Sequence, residues 1–165
     1  MISSQTQEVS VSVLLISLFN KEILVPKAMV VDILSWDEEL YLPARNHPKA
    51  WKIGSYLWRE TQVPLVCIET LMQNETVDEE MHKPKVAILK SVQQNSDNQY
   101  YAVRCDGFPR PLILGEQSLN NLAVEQDQDW VNYSISIGSR VLDILDFIEL
   151  ERVIWAEQEP ISHTA

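Results

Sequence analysis

Glycine is scarce in this chain: there are four in 165 residues, standing singly at 54, 107, 115 and 138. That spacing excludes a Gly-rich loop cradling phosphates and the G-x-S-x-G elbow of a serine hydrolase, both of which need glycines close together. Histidine is as sparse. His47, His82 and His163 lie far apart and form neither H-x-x-x-H nor H-E-x-x-H, while Cys67 and Cys105 have no C-x-x-C spacing and no histidine pair beside them. The pattern excludes a histidine–cysteine metal centre, and each cysteine, set in an apolar stretch, is expected as a buried reduced thiol. Positive charge is the next deficit. The chain has 13 basic against 24 acidic residues, a formal charge of -11, which repels nucleic acid backbones and anionic membrane surfaces. No apolar run approaches the length that crosses a bilayer. Val9 to Phe19 is apolar enough for a signal-peptide core, but it lacks a basic n-region and carries serines at 10, 12 and 17 in a strand-like alternation. The expectation is a cytoplasmic protein.

What is present is an ordinary globular composition, 45% hydrophobic and 22% charged, in a chain long enough to bury a core without metals or disulfides. The expected organisation is a loose N-terminus over 1–8, one domain over 9–155 and a loose tail over 156–165. Its centre is Trp51 to Leu71. Ile53 to Trp58 is apolar and aromatic, Arg59-Glu60-Thr61-Gln62 is a polar break, and Val63 to Ile68 is uncharged and rich in β-branched residues, the mark of a strand buried on both faces. Pro64 cannot donate to a ladder, so the second strand is expected to begin there.

Around that centre the pattern is strand-rich. Val9 to Ile16 and Ile23 to Pro26 flank the break Asn20-Lys21-Glu22 as a hairpin. Lys27 to Trp36 fits helix by the spacing of Met29, Val30, Ile33 and Leu34, and strand by its valines. Tyr41 to Pro48 is expected as an irregular loop, and the acidic stretch near 73–84 as a solvated connection between two halves. Lys85–Val92 with Gln99–Cys105 forms a further hairpin, Leu112–Leu114 a short strand, and Asn120–Asp129 a loop. Val131–Ile137 and Val141–Phe147 pair around Gly138-Ser139, followed by a helix from Glu149 to Trp155; by spacing alone a helix over all of Val141–Trp155 fits nearly as well. The stretch IELERVI, Ile148 to Ile154, echoes Cys67-Ile68-Glu69-Thr70-Leu71-Met72, a weak internal repeat that suggests two similar halves.

Catalysis needs converging acids, bases or nucleophiles, and the inventory is thin. The carboxylate pairs Asp143/Asp146 and Glu149/Glu151 leave one alternative open, a small carboxylate-dependent hydrolase. An arginine beside a tryptophan on a turn instead suggests an interface, since both residue types are enriched at hot spots. Arg59 and Trp58 are thus the first candidates for function. Trp51 is expected in the core, and Gly54 to serve a close strand approach.

Gly54, Trp58-Arg59 and Val63-Pro64-Leu65-Val66 resemble the G-x-x-x-[LW]-R-G-x-x-[VI]-P-[VIL] signature of CheW-like coupling domains, adaptors of bacterial chemosensory arrays. With Trp51 and Glu69 added, the resemblance is closest to the ChpC-type CheW-like proteins of type IV pilus systems. Glu60 replaces the glycine that usually follows the arginine, and Cys67 stands where many relatives have aspartate. The resemblance implies an all-β fold of two interlocked five-stranded SH3-like barrels with short connecting helices, no cofactor and no enzymatic activity. It implies an adaptor between a chemoreceptor tip and the regulatory domain of a CheA-like histidine kinase, in a system governing twitching motility. An auxiliary protein that binds the kinase but not receptors is the alternative. The receptor-facing residues it implies are Asp32, within Val30-Val31-Asp32-Ile33, and Arg59, with Trp58, Glu60, Val63 and Pro64 around them. An ion pair between Asp32 and Arg59 is expected.

Overall fold

The computed structural model describes residues 9–18, 21–43, 52–73, 82–93, 99–125 and 129–156. The expectations for Trp51 and His47, for most of the acidic connection and for both termini lie outside these residues. The first half runs β1 (Val11–Ser17), β2 (Glu22–Pro26), β3 (Val30–Ser35), β4 (Tyr41–Pro43), β5 (Lys52–Trp58), β6 (Thr61–Val66) and helix α1 (Ile68–Gln73). The second half repeats this plan. Its elements are β7 (Pro84–Lys90), β8 (Tyr100–Asp106), β9 (Arg110–Leu114), α2 (Glu116–Asn120), β10 (Leu122–Val124), β11 (Val131–Ile137), β12 (Arg140–Leu145) and α3 (Phe147–Ala156). A 3-10 turn at Glu38–Leu40 stands where α2 does in the second half, and another at Lys27–Met29 leads into β3.

Among the described residues the strands form two six-stranded sheets, ordered β10-β11-β12-β2-β1-β9 and β4-β5-β6-β8-β7-β3. Set side by side, these orders match strand for strand, down to the one parallel junction in each: β12 beside β2, where Asp143 faces Ile23, and β6 beside β8, where Leu65 faces Ala102. Each half therefore lends its opening hairpin to the other half's sheet. The internal repeat expected from sequence is present as an exchange, which interlocks the halves.

The exchanged hairpins explain where the most continuous apolar runs fall. In β8, Ala102 faces a core made by its own sheet with Tyr56, Trp58, Val63, Leu65, Val86 and Ile88. Its neighbours Tyr101, Val103 and Cys105 face a core shared between the sheets, with Ile23, Val25, Ala87, Leu89 and the α3 residues Phe147, Leu150 and Ile154. β1 and β2 divide likewise, Val13, Leu15 and Leu24 joining Ile135 and Leu142 on the other side of their sheet. Strands with a core on each side carry no polar alternation.

Several boundaries differ from expectation for identifiable reasons. Each sheet holds six strands where the resemblance implies five. The shortest members, β4 and β10, have three residues each and lie at sheet edges in stretches expected as loops; three residues are too few to show an alternation. Pro64 does not begin its strand, which starts at Thr61. Trp58 and Thr61 flank a two-residue turn as the first pair, and Pro64 faces Ser55 three pairs on. Alternation of bonded and non-bonded pairs turns the position of its missing N–H away from β5, and pairing with β8 begins only at Leu65. Phe147 opens α3 rather than closing a strand: Asp146 caps the helix, its Oδ1 accepting from Glu149 N at 3.0 Å. Among the described residues no helix is long and apolar enough to cross a membrane.

Candidate protein-binding surface

The candidate residues converge where the β5–β6 turn meets the edge strand β3. A bulge in β3 between Val30 and Asp32 sets Val31 out of register with β7, and this aims Asp32 toward the turn. Its Oδ1 accepts from the Ile33 backbone N–H at 2.9 Å and its Oδ2 from Trp58 Nε1 at 3.0 Å. Trp58 is thus fixed by its polar handle as well as by packing: it is only 6% exposed, and its ring lies 5.0 Å from that of Tyr100. Arg59 lays its guanidinium over the outer side of Trp58, 4.6 Å from the ring centroid, and brings Nη2 to 3.9 Å from Asp32 Oδ2. With Arg59 68% exposed, such an ion pair contributes only ~0 to 1 kcal/mol and the stacking a similar amount. The arrangement orients a cation more than it stabilises the fold.

Arg59 and Glu60 both have left-handed backbones, φ 48° and 64°. Two positive φ values in a two-residue hairpin loop satisfy the type I′ turn, which matches strand twist and normally recruits Asn-Gly or Gly-Gly. For residues with a Cβ, each such conformation costs about 1 kcal/mol or more. Arg59 recovers part of that through Trp58 and Asp32. Glu60 is exposed and makes no hydrogen bond or ion pair with any described residue.

Val63 and Pro64 are brought near but not to the surface. Val63 is 3% exposed and packs with Trp58 in the core of its sheet, and Pro64 is buried beside it; they support the turn from beneath. Gly54 serves the strand approach expected of it, since a Cβ there would lie 2.1 Å from the Leu42 carbonyl oxygen of β4.

The carboxylates considered for catalysis are each engaged elsewhere. Asp143 is buried against Lys21 at 2.6 Å, Asp146 caps α3, and Glu149 pairs with Arg152, which lowers the Glu149 pKa and raises that of Arg152. Glu151, fully buried, accepts from the Ser91 hydroxyl, from Val92 N at 2.9 Å and from the Tyr101 hydroxyl at 3.0 Å. Sequence reasoning missed this hub. The signal for it is a glutamate four residues after Phe147 and three before Ile154, on the buried stripe of the helix. Neither thiol is activated: burial raises the Cys67 pKa, and burial with the nearby Asp106 and Glu69 charges pushes Cys105 up to about 12. Among the described residues no group of acids, histidines and cysteines could hold a metal ion.

The sequence matches no protein-family model and no curated protein. The structure is similar to the crystal structure of the scaffolding protein TtCheW from Thermoanaerobacter tengcongensis, with a TM-score of 0.68 over 88% of this chain and 90% of that one, at 10% identity. At that identity the likeness lies in the architecture: this chain has the CheW-like fold.

Proposed function

We propose that this chain is a non-enzymatic adaptor of a chemosensory array, coupling chemoreceptors to a CheA-like histidine kinase, with Asp32, Trp58, Arg59 and Glu60 on its receptor-facing surface. The observation that carries this reading is an exposed arginine held by a buried tryptophan and an aspartate on a fold shared with a scaffolding protein. A side chain so oriented forms a contact with little loss of rotamer freedom. A coupler acts by making contacts whose strength differs between kinase-on and kinase-off states, which biases that equilibrium. The chain would work on the cytoplasmic side of the membrane. Its resemblance at Trp51, Gly54, Trp58-Arg59 and Glu69 favours a system that drives type IV pili.

A second reading, an adaptor that binds the kinase alone, rests on Glu60, whose carboxylate changes the charge of the receptor-facing turn. Binding of the purified protein to the kinase regulatory domain and to the receptor's cytoplasmic tip separates the two. Binding to both, with only receptor binding lost in Arg59→Ala, is the expected result. Kinase binding alone supports the second reading, and binding to neither overturns both.

A further inference from the structure

The strained turn carries an asymmetry between its two residues. Arg59 is compensated inside the molecule by the Trp58 ring and by Asp32. Glu60 holds a left-handed backbone at φ 64° and returns no hydrogen bond or ion pair with any described residue for it. The equivalent turn in the other sheet, between Ile137 and Arg140, has a single positive-φ residue, Gly138 at φ 63°, at the position that Arg59 takes here. The sister tip meets its one left-handed position with glycine and keeps Ser139, the counterpart of Glu60, out of that region, whereas this turn is left-handed at both residues and carries full side chains at both. Uncompensated backbone strain of this kind concentrates at binding and switch sites, where the contact that offsets it is intermolecular.

We propose that Glu60 is a partner-selecting residue: its carboxylate, projected from the tip beside the Arg59 cation, receives a lysine or arginine of the protein segment that docks on the Asp32–Trp58–Arg59 surface. The proposal rests on the adaptor reading and specifies its partner. That segment carries a basic side chain opposite Glu60 and an acidic one opposite Arg59, so the turn fixes the direction in which it lies. Electrostatics favours a basic contact here. The turn with Asp32 holds two carboxylates to one guanidinium, and the whole chain carries -11, so an approaching cation is steered inward. A basic partner side chain gains most from a carboxylate here, since a charge-assisted hydrogen bond is roughly twice as strong as a neutral one.

The test measures stability and affinity together, on the full chain, with the cytoplasmic tip of a receptor from the same cell as probe. Glu60→Gly relieves the backbone and is expected to raise the melting temperature by a few degrees while weakening binding at least five-fold. Glu60→Gln keeps the strain and removes the charge, so the melting temperature stays and affinity falls several-fold. Glu60→Lys is expected to weaken binding more than ten-fold and to flatten its salt dependence, and exchanging a single basic residue of the tip for glutamate restores it. Unchanged or tighter binding by Glu60→Gly and Glu60→Lys, with wild type binding the tip, overturns this inference and leaves the adaptor standing. A wild-type protein that does not bind the tip overturns the receptor-facing reading itself, and this inference with it.

Discussion

The two sheets carry equivalent hairpins with opposite tips. β5–β6 turns through Arg59-Glu60, both at positive φ with full side chains, whereas β11–β12 turns through Gly138-Ser139, where only the glycine is at positive φ, as a type II′ loop requires. Arginine occurs at both. In the second hairpin it is Arg140, one residue past the turn and tied, like Arg110, to Glu22 of the neighbouring strand. In the first it is on the tip and laid over a tryptophan. One architecture, used twice, thus separates two demands: the second tip satisfies the backbone, and the first presents side chains at the backbone's expense. The second half is also tied through α3, which holds the end of the β7 strand through Glu151.

Breaking that tie has the largest expected effect. Glu151→Leu leaves the Tyr101 hydroxyl, the Ser91 hydroxyl and the Val92 N–H in place without their acceptor, a loss on the order of 3 kcal/mol or more. Urea unfolding should show it as a fall in midpoint. A midpoint within error of wild type would mean that water replaces the carboxylate and that α3 is not held there. In the first half, Gly54→Ala is the corresponding insult. Its Cβ meets the Leu42 backbone at 2.1 Å, so β4 must move off β5 at a cost of about 2 to 3 kcal/mol. Hydrogen exchange would register this as lost protection at β4, with β10 in the other sheet unaffected.

These devices differ in how far the sequence discloses them. The strand-rich class, the β1–β2, β7–β8 and β11–β12 hairpins and the repeat are legible because burial on one or both faces writes itself into a period of two or an unbroken apolar run. The exchange of hairpins between sheets is not legible, because each strand's pattern records that a face is buried and not which sheet covers it. At the candidate surface, Trp58-Arg59 stands out by composition, and Asp32 enters only through resemblance. The burial of Val63 and Pro64 follows from their place in an apolar run. The strain at Glu60 is visible as a glycine missing from a two-residue turn, once the turn length is known. Glu151 is hidden because its donors lie 50 to 60 residues away.

The seam between the halves gives a control that should not discriminate between them. Burial raises the Cys105 thiol from its ordinary 9.0 to about 12, and burial with the Glu151 carboxylate raises the Tyr101 phenol above 10.0. A group whose folded pKa is raised keeps its stabilising effect below the unfolded value and loses it as pH climbs toward the folded one. Stability should hold to pH 9 and then fall, by about 1.4 kcal/mol at pH 10 for the thiol. Melting temperatures across pH 7 to 11 check this. Cys105→Ala, whatever its own cost in packing, should flatten the first part of the decline, and a decline that persists unchanged would remove the thiol as its cause.

The finest comparison exchanges the tips' backbone demands. A Cβ at Gly138 meets nothing within 4 Å, so Gly138→Ala tests the left-handed backbone alone and should lower stability by about 1 kcal/mol. Glu60→Gly should raise stability by a similar amount, since Glu60 has no hydrogen bond or ion pair with a described residue to lose. The turns lie in different sheets and share no hydrogen bond or ion pair, so the double variant should return close to wild type. Equal and opposite shifts by chemical denaturation would mean that residue 60 carries a cost of the size its sister turn avoids. If Glu60→Gly instead destabilises, the glutamate stabilises the hairpin internally, and the contrast between a tip built for folding and one built for presentation collapses into a difference of turn type.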